Sequence, residues 1–341
     1  MLQDRRFEHG GNVYAHPGCV DFSANLNPLG IPAGVKDVLR QNVDAVARYP
    51  DPACTQLVEA LATFEHVPPA WVLPCAGATD AFARIALVVR PQTVEVCAPC
   101  YAGYEQALWQ TGARIERRTL RAENDFAFEG LAADADLAFV ANPNNPTGRC
   151  VERDVLLHCL DRARERGAIV VLDECFIDLT QRKGSNDLLD EYHNLVLVKA
   201  FTKTFALAGL RLGYVLCAND CLLGRLREVG QPWAVSVPAQ LAGVACVANK
   251  TYLDRSRRLI ARERVRLADE LVRMGLRVVP SETNYLLFRG PRGLFDACLE
   301  RGVLIRSCDN YFGLDEQWYR VAVRTPSEND LLIETLTEVL K

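Results

Sequence analysis

The sequence predicts an α/β protein: a large, mostly parallel sheet followed by a smaller α+β unit. Three observations predict it. Short apolar runs alternate with amphipathic helical patterns from about residue 94 to residue 217. Beyond about residue 238 the pattern changes to helices and then to short strands interleaved with helices. The chain of 341 residues, 49% hydrophobic and 24% charged, is long enough for two cores and has none of the bias of disordered or fibrous sequences.

Pro28, Gly30, Pro32 and Gly34 punctuate the start of the chain, so residues 1–35 read as an irregular segment joining the small domain. Residues 36–235 read as the large domain. Its strands are VEVCAP (94–99), LAFVAN (137–142), IVVLDECF (169–176), LVLVKAF (195–201) and RLGYVLC (211–217), apolar enough for a sheet covered on both faces. Segments 103–112 and 153–166 carry the spaced apolar positions of crossover helices. Residues 236–341 read as the small domain. There a helix-rich stretch to about 275 precedes the strands LRVVPS, NYLLFRG, VLIRSC and YRVAVR, with helices at 291–301 and 327–340.

A formal net charge of −4 supplies no field for a nucleic-acid backbone or an anionic membrane. Thirteen cysteines, an odd number scattered from Cys19 to Cys308, argue against a closed disulfide framework. With no signal-peptide core at the N-terminus and no apolar run of membrane-spanning length, the sequence reads as a reduced, cytoplasmic protein. The Cys97–Cys100 C-x-x-C has no second pair of ligands, so no metal is expected.

Three features fall at the ends of successive strands, the edge at which open α/β sheets hold ligands. NPNNPTG (142–148) reads either as a simple chain reversal or as a rigid frame for the Asn145 amide. Asp173 ends an apolar strand, where an acid is costly unless something partners it. Lys203, flanked by Phe201, Phe205 and Leu207, reads as a desolvated amine with a lowered pKa, a nucleophile rather than a solvated helix lysine. Lysine, carboxylate and amide together meet the needs of pyridoxal phosphate: an attachment point, a partner for the ring nitrogen and a donor to the ring hydroxyl. Gly77-Ala78-Thr79, ahead of a helix expected near Asp80, offers backbone N–H groups to the phosphate, and Arg211 adds a charged fork.

NPNNPTG, VVLDECF, FTKTFALAGLRLGY and YRVAVR together resemble the aspartate-aminotransferase superfamily, fold type I of the pyridoxal-phosphate enzymes, and its subgroup of histidinol-phosphate aminotransferases. The resemblance spans nearly the whole chain. It implies a mixed, mostly parallel sheet and a homodimer with shared active sites. It also implies that Lys203 is the cofactor's lysine, Asp173 the partner of the ring nitrogen, Asn145 that of the ring hydroxyl, and Tyr101 the aromatic stacked on the ring. By the same resemblance, Tyr49 in RYPD reaches the cofactor phosphate of the neighbouring subunit. HGGN (9–12), DFSANLNPLG (21–30), LIRSCDNYFGLD (304–315) and YRVAVR (319–324) are similar to the threonine-phosphate decarboxylases of cobalamin biosynthesis. This narrower resemblance implies a substrate-binding set of His9, Gly10, Asn25, Asn145, Arg306 and Arg320. Two arginines suit a substrate with two anionic groups, while Arg324 reads as a structural ion pair.

Phe176 replaces a tyrosine of the wider superfamily and agrees with the decarboxylases. Ala200 replaces a hydroxyl residue that normally serves the cofactor phosphate, a loss of about 1 kcal/mol. Ala78 and Asp80 depart from the decarboxylases' Glu-Thr-Glu run. The implied reaction converts L-threonine O-3-phosphate to (R)-1-amino-2-propanol O-2-phosphate and CO2 for a cobalamin or related nucleotide loop. L-serine phosphate is an alternative substrate. A histidinol-phosphate-type aminotransferase and a cofactor-free binding protein are the competing readings.

Overall fold

The computed structural model describes residues 8–109, 111–132 and 134–341. The N-terminal segment contributes one short strand, β1 (Val20–Asp21). The large sheet holds β2 (Val72–Cys75), β3 (Thr93–Ala98), β4 (Arg114–Thr119), β5 (Leu137–Ala141), β6 (Ile169–Asp173), β7 (Leu195–Ala200) and β8 (Gly213–Leu216). Their spatial order is β2-β8-β7-β6-β5-β3-β4; β8 runs antiparallel to both its neighbours and the remaining pairs are parallel.

The central strands β5 and β7 are buried along their whole length, as their unbroken apolar runs require of a sheet covered on both faces. Two strands of this sheet were not expected from the sequence. β2, VLPC, is four residues long and contains Pro74, and β4, RIERRT, is a charged edge strand with exposed arginines. The crossover helices span Gly103–Leu108 and Arg153–Glu165.

The C-terminal strands are β9 (Arg277–Val278), β10 (Tyr285–Arg289), β11 (Val303–Leu304), β12 (Arg306–Ser307) and β13 (Trp318–Ala322). β12-β13-β10-β9 form an antiparallel sheet. β1 pairs in parallel with β11, and Phe22 exchanges backbone hydrogen bonds with Leu304 and Ala322, both at 2.8 Å. Phe22 thereby enters the apolar cluster of Leu267, Leu271, Phe288, Val321 and Leu332.

The boundary expected at residue 235 precedes the helix Val237–Val247, whose Ala239, Ala242 and Cys246 belong to the core beneath the large sheet, with Val35, Leu57 and Leu212. Gly243 allows this packing, since a Cβ there would lie 2.6 Å from Leu57 and 2.8 Å from Leu212. That core runs on to Leu253 near the start of the long helix Tyr252–Arg273, whose later residues Leu267 and Leu271 turn to the small sheet.

Parallel pairing brings the C-terminal ends of β7, β6, β5 and β3 side by side. The residues just beyond them are Lys203, Asp173, Asn145 and Tyr101.

Candidate active site

A cavity of about 250 Å³ opens along that edge, closed from above by the N-terminal segment and from the side by β13. Lys203 sits in the helical turn Phe201–Thr204 directly after β7, and its carbonyl accepts from the Asn27 N–H at 3.1 Å. Burial, then the charges of Arg320 and Arg211, lowers its pKa to about 8.

Asp173 accepts from the Tyr104 hydroxyl at 2.6 Å and from the Cys175 N–H at 3.0 Å. Burial nevertheless raises its pKa, and among the described residues no cation pairs with it. A carboxylate in this condition calls for a charged N–H donor from a ligand in the cavity. Tyr104 itself stacks on Phe139 at 5.0 Å and meets Tyr101 edge-on at 5.6 Å. Gly103 gives the Tyr101 ring its room, because a Cβ there would stand 2.2 Å from the ring.

The Asn145 amide oxygen accepts from Arg320 Nη1 and, at 3.4 Å, from the Tyr311 hydroxyl. Its Nδ2 end has no acceptor among the described residues and is the end left for a ligand oxygen.

At the far end of the cavity, the helix Ala78–Val89 begins after Gly77, whose φ of +89° belongs to glycine. The helix starts at Ala78 rather than near Asp80. The Ala78 and Thr79 N–H groups have no intrahelical acceptor and form an anion cradle. Asp80 turns away from it, accepting from the Ala76 N–H at 2.9 Å and from Arg84 at 2.9 and 2.8 Å, and so braces the loop. The Arg211 guanidinium lies over Gly77, within 3.1 Å of where a Cβ would stand. Gly213 lets β8 approach the cradle, since a Cβ there would lie 2.8 Å from the Ala78 nitrogen. Ala200 contributes no hydroxyl, whereas Thr202 lines the cavity.

The opposite end carries the arginines. Arg306 and Arg320 stand directly across from each other on antiparallel β12 and β13. Arg320 Nη2 donates to the Ser23 carbonyl at 2.8 Å, and Arg306 Nη2 to the Glu8 carbonyl and Asn310 Oδ1, both at 2.7 Å. Each has a buried Nε without a partner, and among the described residues neither pairs with a carboxylate. Arg306 stands behind His9 and outside the cavity wall, whereas Arg320 lines it. The His9 ring lies tilted against Tyr101 at 5.4 Å, and partial burial, then Arg306, Lys203 and Arg320, lowers its pKa. Gly10 packs on Ser23, whose oxygen would lie 2.4 Å from a Cβ at that position. Asn25 is 2% exposed and its Oδ1 has no partner. Arg324 pairs with Glu328 at 2.5 Å.

A family model described as aminotransferase class I and II matches residues 17–336. The chain belongs to that family. It is 35% identical over 350 residues to the threonine-phosphate decarboxylase of Salmonella typhimurium, covering 97% of this chain and 96% of the relative. It is 34% identical over 336 residues to histidinol-phosphate aminotransferase 2 of Ralstonia nicotianae, covering 94% and 88%. The solved L-threonine-O-3-phosphate decarboxylase from Porphyromonas gingivalis superposes with a TM-score of 0.85 at 28% identity, over 94% of this chain and 98% of that one.

Within this class I and II aminotransferase frame, Tyr49 lies outside the chain's own cavity, 80% exposed and tilted against the Trp233 ring at 4.7 Å. Tyr104, Tyr311, Ser23, Thr202 and the Asp80–Arg84 pair are site residues that the sequence reading missed. Tyr104 follows Tyr101 at helical spacing, a detectable signal; the others depend on tertiary register. Cys97 and Cys100 are free thiols, and burial raises both pKa values, that of Cys100 to about 12. Among the described residues no helix is long and apolar enough to cross a membrane.

Proposed function

We propose that this protein is a pyridoxal-phosphate-dependent decarboxylase of L-threonine O-3-phosphate, releasing CO2 and (R)-1-amino-2-propanol O-2-phosphate, and that it works as a cytoplasmic homodimer. Bound in the cavity, the cofactor supplies a ring that accepts the electron pair left when a bond at the substrate's α-carbon breaks. The residues fit it. Lys203 is the attachment point and, with a pKa of about 8, can return a proton to the α-carbon. The unpaired Asp173 carboxylate holds a proton on the ring nitrogen, the free Nδ2 of Asn145 donates to the ring hydroxyl, and Tyr101 covers the ring. Ala78, Thr79 and Arg211 hold the phosphate.

The observation that carries the substrate is the opposed pair Arg306 and Arg320, without carboxylate partners among the described residues. Like charges directly across a strand pair are unfavourable unless acceptors or anions join them; the Glu8 carbonyl and Asn310 serve Arg306, while Arg320 faces the cavity and the carboxylate that a phosphorylated amino acid brings. Arg320 takes the carboxylate, with Arg306 assisting from behind the cavity wall, and His9 and Asn25 favour the phosphate end. The 35% identity to a threonine-phosphate decarboxylase, over 96% of its length, supports this choice, beside 34% over 88% of a histidinol-phosphate aminotransferase. L-serine phosphate differs by one methyl, worth only about 1–3 kcal/mol of discrimination, and stands as a second substrate. Incubating the cofactor-loaded enzyme with carboxyl-labelled threonine phosphate tests the proposal. Labelled CO2 should appear mole for mole with the amino alcohol phosphate and without an added 2-oxo acid. Appearance of a 2-oxo product instead would overturn it.

A further inference from the structure

We infer that Tyr311 is a positioning residue that limits how tightly Arg320 grips the substrate carboxylate, an inference that rests on the decarboxylase reading above. Tyr311 lies in the turn between β12 and β13. Its hydroxyl accepts from Arg320 Nη1 at 3.2 Å and stands 3.4 Å from Asn145 Oδ1, to which Nη1 also donates. Both Nη1 protons are therefore engaged. Nη2 gives one proton to the Ser23 carbonyl at 2.8 Å, and the Tyr285 ring lies against the guanidinium with its centroid 5.5 Å away. The buried donor without a partner is Nε. An incoming carboxylate thus meets Nε and the remaining Nη2 proton, one edge of a group that carries five donors.

The chemistry gives this restriction a purpose. A carboxylate leaving as CO2 loses its charge on the way to the transition state, so each hydrogen bond it receives in the ground state opposes its departure. Arg320 must orient the group without over-holding it, and the Tyr311 hydroxyl occupies a donor that would otherwise join the grip. The same side chain, with His9, forms a wall between the reaction cavity and a neighbouring cavity of about 370 Å³, and the Arg306 guanidinium lies over its ring, 5.8 Å from the centroid.

The Tyr311→Phe variant tests this, because it keeps the ring and removes the hydroxyl. KM for threonine phosphate should fall about 3- to 10-fold and kcat should fall by a similar factor, the signature of an over-stabilised ground state. Inhibition by 1-amino-2-propanol phosphate, which has no carboxylate, should stay within twofold of the parent. Tyr311→His, which keeps a polar atom on a ring, should return KM and kcat towards the parent values and serves if the phenylalanine variant fails to fold. A raised or unchanged KM, or an equal shift in inhibition by the amine phosphate, overturns the inference while leaving the decarboxylase reading intact. Failure of the parent enzyme to release CO2 overturns the reading itself.

Discussion

Lys203 and Asp173 are opposite outcomes of one physical cause. Burial disfavours the charged form of each, and so yields an amine that gives up its proton near pH 8 rather than near 10.4, and a carboxyl group in need of a cationic partner. The lysine's shift has a measurable consequence. Only the neutral amine attacks an aldehyde, so the rate at which cofactor-free protein captures pyridoxal phosphate should rise with pH and level off above about 8, whereas an ordinary lysine would keep rising to about 10.4. Stopped-flow absorbance across pH 6–10 reads this directly; a midpoint near that of a free lysine, or borohydride labelling on Lys199 in place of Lys203, would contradict the assignment. Lys203, Asp173 and Asn145 were legible in the sequence because each follows an apolar strand and carries a polar group that the strand cannot use. Tyr104 and Tyr311 were not, since their value lies in hydroxyls that reach Asp173 and Arg320 only after distant strands have paired.

At the scale of elements, β6 and β7 carry a second polar set on the side away from the cavity. Lys199 donates to Glu65 at 2.8 Å and lies 3.5 Å from Asp178, while Glu174, fully buried, accepts from Ser185 and Asn142. Burial raises the Glu174 pKa to about 7 despite Lys199 and Ser185, which pull it down. Between about pH 4.5 and 7 the folded state therefore holds a proton that the unfolded chain releases, so this group makes stability fall as pH rises through that window, by on the order of 3 kcal/mol in all. Glu174→Gln should remove that slope. Denaturant unfolding of both proteins at several pH values checks it, and parallel stability curves would show that Glu174 titrates normally. The central parallel strands were visible in the sequence because burial on both faces leaves an unbroken apolar signature. β2 was hidden by its shortness and by Pro74, β4 by the charges of an edge strand, and the large-sheet allegiance of the helix Val237–Val247 by a uniformly apolar composition that shows no facing.

At the scale of the whole molecule, Tyr49 lies exposed on its own chain against exposed Trp233, where the proposed homodimer would have it serve a second copy. If Tyr49 serves the partner's cofactor phosphate, a hybrid of a Lys203→Ala chain with a Tyr49→Phe chain should bind cofactor at its one competent lysine with the parent affinity. That site lies in the Tyr49→Phe chain and borrows an intact tyrosine from the other. Cofactor affinity in the hybrid as weak as in the Tyr49→Phe homodimer would place the tyrosine's action within its own chain. On the proposed function, Lys203, Asp173 and the two opposed arginines serve loss of CO2 rather than transfer of an amino group. Its most direct test is a single assay that offers the loaded enzyme threonine phosphate, serine phosphate and histidinol phosphate side by side, each with and without 2-oxoglutarate, and quantifies CO2 and glutamate. A decarboxylase releases CO2 from threonine phosphate at a rate indifferent to 2-oxoglutarate, with little glutamate from any substrate; glutamate formed from histidinol phosphate, with no CO2 above background, would contradict that function.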